Sequence, residues 1–153
     1  MVTKWIKHNE PAWLDKFNFI IGAFGKKLDN QVVCEQLHCR QISNRSFEIC
    51  CIPFYVYNIS LGDIVETDDD LLISRVIRES GHYTFRVWFH NTEKLDIKAI
   101  LKNNLSNDQC LFEWYGENLL AIDAPNVQTA LSISEFLLEK ERLNLLTYET
   151  GKL

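Results

Sequence analysis

The stretch SGHYTFRVWFH, residues 80–90, sets the reading of the fold. After a Ser-Gly turn it runs through aromatic and β-branched residues with a period of two, the spacing of a strand rather than a helix. Tyr83, Phe85, Val87 and Phe89 share one face and predict a core contact. His82, Thr84, Arg86, Trp88 and His90 share the other. That second face is expected either to be the solvated side of an antiparallel sheet or to carry a site, since it combines two imidazoles, a guanidinium and an indole.

Working outward, the same short period recurs in VVCEQLHCRQI (32–42), FEICCIP (47–53), GDIVET (62–67) and LLISRVIRES (71–80). Asn44-Arg45-Ser46, Ser60-Leu61-Gly62, Asp68-Asp69-Asp70 and Ser80-Gly81 punctuate these runs as turns. Downstream, TEKLDIKAILKNN (92–104) reads as a short helix and CLFEWYGENLLAIDAP (110–125) as a hairpin turning at Gly116-Glu117-Asn118. NVQTALSISEFLLEKERL (126–143) reads as an amphipathic helix capped by Asn126, with Val127, Ala130, Leu131, Ser134, Leu137, Leu138 and Glu141 facing inward. Upstream, NEPAWLDKFNFIIGAFGKK (9–27) places Trp13, Leu14, Phe17, Ile20, Ile21 and Phe24 at helical spacing and predicts an N-terminal helix.

The result is a single α+β domain, 1–153. An N-terminal helix occupies 1–30, antiparallel strands 32–91, and a helix, hairpin and helix 92–153. The strand-helix-strand-strand-helix order from residue 82 onward is that of a ferredoxin-like portion.

Composition narrows the function. A net charge of -5 and a pI near 5.4 leave no basic excess for phosphates or anionic lipid, so direct nucleic-acid binding and membrane binding are not expected. The first residues carry charges before any apolar run of signal length, which points to a cytoplasmic protein. The cysteines, Cys34, Cys39, Cys50, Cys51 and Cys110, are odd in number, and Cys50 and Cys51 point to opposite faces of one strand; reduced core thiols are the expectation. Cys34, His38 and Cys39 lack a second pair at ligand spacing, so no metal is expected. Phosphate-loop and dinucleotide glycine patterns and a nucleophile signature are missing, so no cofactor is expected and no reaction is named.

The run IPFYVYNISLGDIVETDDDLLISRVIRESGHYTFRVWF, with the earlier VCEQLHCRQI and the later LLAIDAP, resembles a bacterial family known only as a domain of unknown function. In that family a PF..Y..SLGD.VE segment is followed by SGH.T.RV. The resemblance spans residues 32–124, and it implies a shared fold and positions to watch: Gly62, Asp63, Glu66, Gly81, His82 and Arg86.

Two functions follow as expectations. Glu66, Asp68, Asp69 and Asp70 concentrate negative potential at one loop tip and would steer a basic partner. With Arg86 and Trp88 they would form a partner-binding surface. A small acidic domain without cofactor fits an immunity-type inhibitor that neutralises a cognate toxin domain, such as a nuclease. Alternatively, Asp63 orients His82 as a general base while Arg86 binds an anion, in a small enzyme or ligand-binding domain. Structurally, the same residues would tie a turn, with Arg86 pairing to Asp63 or Glu66 across strands. A pocket uniting Asp63, His82 and Arg86 would separate the two functions.

Overall fold

A computed structural model describes residues 2–90 and 96–152. Two sheets pack against each other, and helices cover the outer face of the second. The first sheet contains β1 (Val2–Ile6), β2 (Phe19–Leu28), β3 (Gln31–Gln41), β4 (Ser46–Ile49), β5 (Ile64–Thr67) and β6 (Ile73–Arg78). β3 is its spine. β2 lies antiparallel along one edge, while β1, in parallel, and then β4 share the other. From β4 the sheet continues through β5 to β6, whose start returns to β2: the Gly22 N–H donates to Leu71 O at 2.8 Å. The sheet therefore curls almost closed around Ile21, Leu37, Phe47, Ile49 and Val65.

The second sheet holds β7 (Tyr83–Phe89), β8 (Phe112–Tyr115), β9 (Leu119–Ala124) and β10 (Leu146–Thr150), in the order β10-β7-β9-β8 with every neighbour antiparallel. With α1 (Ile97–Asn107) after β7 and α2 (Val127–Arg142) after β9, this is a double split βαβ unit of ferredoxin-like order. Phe85, Val87, Phe89, Leu120 and Ile122 face the helices. Residues 92–95 of the expected first helix lie outside the described residues. Asn126 caps α2 as expected, its side chain accepting from the Thr129 N–H at 2.8 Å. β10 was not anticipated from the sequence.

Three expectations are corrected. The segment expected to be an N-terminal helix is instead β1, an irregular connection and β2. Its apolar spacing fits both periods, and Ile20-Ile21 with Gly22 and Gly25 disfavours a helix. The buried face of α2 is also rotated: Ala130, Ile133 and Leu137 pack inward, whereas Val127, Leu131 and Leu138 are exposed. A sheet needs only one narrow stripe from this helix, so its second apolar stripe is left over.

The third correction concerns β7. Its even face is not solvated: Thr84 and Arg86 are buried and Trp88 is half-buried, because this face looks onto the first sheet. Between the sheets runs the β4–β5 connection, residues 50–63, most of it buried. Ile52, Phe54 and Leu61 meet Ile6 and Val33 from one sheet and Leu119 and Ala121 from the other.

Candidate functional site

A buried connection has many backbone groups and little water to satisfy them. Here charged side chains do the work. From β3, Glu35 accepts from the N–H groups of Phe54 (2.7 Å), Tyr55 (2.9 Å) and Val56 (3.2 Å). From β8 in the opposite sheet, Glu113 accepts from Ile52 (2.5 Å) and Ala12 (3.1 Å). His8, just after β1, joins the two carboxylates, its Nε2 at 2.6 Å from Glu35 and its Nδ1 at 2.7 Å from Glu113. Its ring stacks on Phe54. Burial works against the imidazolium, but Cys51, Glu113 and Glu35 more than offset that and hold His8 well above its ordinary pKa. Burial raises the Cys51 thiol, and the other four cysteines are also buried and free.

Arg86 completes this seam from β7. Its side chain is wholly inaccessible; Nε donates to Pro53 O at 3.3 Å, Nη2 to Val56 O, and Nη1 to Glu149 of β10 at 3.3 Å. The guanidinium lies over Tyr57, whose hydroxyl donates to the same Glu149. Arg86 therefore neither pairs with Asp63 or Glu66 nor reaches the surface, and its expected place on a partner-binding face is withdrawn. Trp88 packs into the same seam.

The remaining motif residues separate. Asp63 folds back on its own turn, accepting from the N–H groups of Ser60 (2.9 Å) and Ser80 (2.8 Å). Gly62, at a φ of 84°, permits that turn, and a Cβ there would meet Trp13 at 3.1 Å. Gly81 takes a φ of 89° in the turn before β7. His82 bonds through Nδ1 to Asp123 of β9 at 2.8 Å, its ring edge-on to Trp13 and its side chain 20% exposed. The Asp123 bond raises the His82 pKa, with burial opposing and the charges of Asp123 and Asp63 assisting. Burial raises Asp123 in turn. So Asp63, His82 and Arg86 are not one constellation; the imidazole's partner is Asp123. His90 links Asn144 O to the Thr147 hydroxyl.

The acidic residues behave differently. Glu66 pairs with Arg75 at 3.2 Å and Asp69 with Arg45, all four partly or largely exposed. Asp68 accepts from the N–H groups of Asp70 (2.9 Å) and Leu72 (3.0 Å), which fixes the loop's shape. Cys34, His38 and Cys39 do not converge: Cys39 donates to Phe19 O, and among the described residues no group of side chains suited to a metal occurs. Among the described residues no helix is long and apolar enough to cross a membrane.

Sequence reading missed His8, Glu35, Glu113, Asp123 and Glu149. For three of them a signal was present: Glu35, Glu113 and Asp123 are single acids inside the apolar runs VVCEQL, CLFEWY and LLAIDA. A carboxylate there requires a buried partner.

These features define a two-sheet α+β domain whose motif residues fasten an internal connection. The chain belongs to the family described as a domain of unknown function (DUF4265), which matches residues 35–148. A solved structure with a similar fold, titled a novel crystal structure of a hypothetical protein from Neisseria gonorrhoeae, is 22% identical, with a TM-score of 0.72 over 89% of this chain and 96% of that one. No curated protein matches.

Proposed function

We propose that this chain is a non-enzymatic protein-binding domain of the immunity type, which acts in the cytoplasm by covering a basic toxin domain such as a nuclease. The observation that carries the reading is the division of charge. Arg86, Glu35, Glu113, His8 and Asp63 are committed to backbone and to one another inside the molecule, whereas Asp68, Asp69 and Asp70 stand exposed on one ordered loop. Arg45 and Arg75 offset part of that charge, and the loop with its neighbours stays net negative. A nuclease must hold phosphates in a basic cleft, which gives the loop a complementary target.

The test is stopped-flow association with a basic nuclease toxin domain, taken from the neighbouring reading frame where that frame encodes one, across a salt series. Changing Asp68, Asp69 and Asp70 together to Asn is expected to slow association by about tenfold or more at low salt, with a smaller effect on dissociation. An unchanged association rate removes the loop from the interface.

A second reading rests on the His82–Asp123 pair, an oriented and partly exposed imidazole of the kind used for proton transfer or anion binding. In it the protein is a small enzyme or ligand-binding domain centred on His82 rather than on Arg86. His82→Ala would then abolish turnover or ligand binding at an unchanged melting temperature.

A further inference from the structure

We infer that the outer face of the first sheet around Gly22, formed by Trp5, Ile20, Phe24 and Leu72, is the docking surface for a protein partner with a basic rim. The inference rests on the protein-binding reading and adds the apolar centre that the acidic loop lacks.

Three elements build this face. Trp5 on β1 and Phe24 on β2 are both register partners of Cys34 on β3, so the three lie in one row across the sheet. Ile20 and Gly22 continue that face along β2. The Trp5 ring reaches over Gly22 from one side and Leu72 from the other: a Cβ on Gly22 would stand 2.8 Å from Leu72 Cδ2 and 3.3 Å from the indole. The glycine thus lets two large apolar side chains lie flat against the strand. They remain open to solvent, with Trp5 at 41% exposure, Ile20 at 46%, Phe24 at 59% and Leu72 at 36%. An apolar group of this kind with an indole in it has the make-up of an interface hot spot.

The charge around it selects the partner. The acidic loop is clamped to the edge of the face, since Leu72 donates to the Asp68 carboxylate at 3.0 Å and Asp68 N–H donates to Leu72 O at 2.9 Å. Asp68, Asp69 and Asp70 therefore form one border of the apolar centre on a backbone that is already ordered. A partner whose own apolar patch is bordered by lysines or arginines meets both features at once. The carboxylates would speed encounter, while the apolar centre would set the lifetime of the complex.

Titration calorimetry with the same basic nuclease toxin domain, joined to sedimentation of the free protein, tests the surface. Phe24→Asp and Trp5→Ala are expected to raise Kd by about 100-fold, chiefly through faster dissociation, at an unchanged melting temperature for Phe24→Asp. Leu131→Asp, on the exposed stripe of α2, is expected to leave Kd unchanged. Tight binding by both face variants overturns this surface and leaves the protein-binding reading standing. Failure of the unaltered protein to bind overturns both. A dimer of the free protein that Phe24→Asp dissolves shows that a second copy covers this face, and also overturns the proposal.

Discussion

The seam between the sheets and the rim at residues 66–72 draw on the same kinds of side chain and use them in opposite ways. In the seam, Glu35, Glu113, His8 and Arg86 are almost without exposure, and their carboxylates, imidazole and guanidinium bond chiefly to backbone groups and to other charged side chains. On the rim, Glu66–Arg75 and Asp69–Arg45 are pairs in water. Removing one member of a buried pair leaves an uncompensated charge in a medium of low polarity; removing one member of an exposed pair lets water take its place. A motif rich in charge is therefore no guide to function until burial is known. Here SGHYTFRV contributes its arginine to the interior and its histidine to a partly open pair.

The largest effects are expected where the seam is broken. His8→Ala removes the cation between two buried carboxylates, and Arg86→Ala strips Pro53 O and Val56 O of their donor. Each is expected to lower unfolding stability by about 3–5 kcal/mol in urea denaturation. Losses under about 1 kcal/mol in either variant would place these residues with the rim.

The seam also sets a pH dependence. His8 has its pKa raised in the folded protein, so its contribution to stability is fully present below the unfolded-state value of about 6.5 and is lost as pH rises through the folded value. Melting temperature is thus expected to fall on the alkaline side. His82, also raised, contributes in the same sense. Comparing pH profiles of His8→Ala and His82→Ala separates the two, and a profile identical to the unaltered protein in His8→Ala would show that its proton is not part of the seam.

The smallest effect belongs to the rim. Glu66→Gln is expected to cost at most about 1 kcal/mol, and that difference should vanish in high salt. A loss as large as that of Arg86→Ala would erase the contrast between the two regions.

Much of this was legible in the sequence, because strand periodicity survives wherever a strand buries one face. The strands between 32 and 89, the hairpin at Gly116 and the cap at Asn126 were read from local pattern, except that FEICCIP leaves the sheet at Ile49, so Cys50 and Cys51 lie in the connection rather than on two faces of a strand. The N-terminal region misled because one set of apolar spacings satisfied both periods, and the second stripe of α2 because an exposed Leu131 looks the same in sequence as a buried Leu137. The site was less legible. Glu35 meets Phe54 across 19 positions, but His8 meets Glu113 across 105, and only the packing of the two sheets brings them together. Asp63, His82 and Arg86 looked like a group because two neighbouring motifs hold them and His82 and Arg86 alternate onto one face, but Asp63 folds back on its own turn, His82 meets Asp123 and Arg86 enters the seam.

The central claim is that buried charge holds the connection between the sheets, and amide hydrogen exchange tests it most directly. The amides of Ile52, Phe54, Tyr55 and Val56 donate to Glu113 and Glu35, so they are expected to exchange only with global unfolding, as slowly as the β9 core, although they lie in a loop. In Glu35→Gln the Phe54, Tyr55 and Val56 amides should exchange faster while β9 keeps its local protection. Rapid exchange at these four amides in the unaltered protein, with β9 protected, would contradict the account.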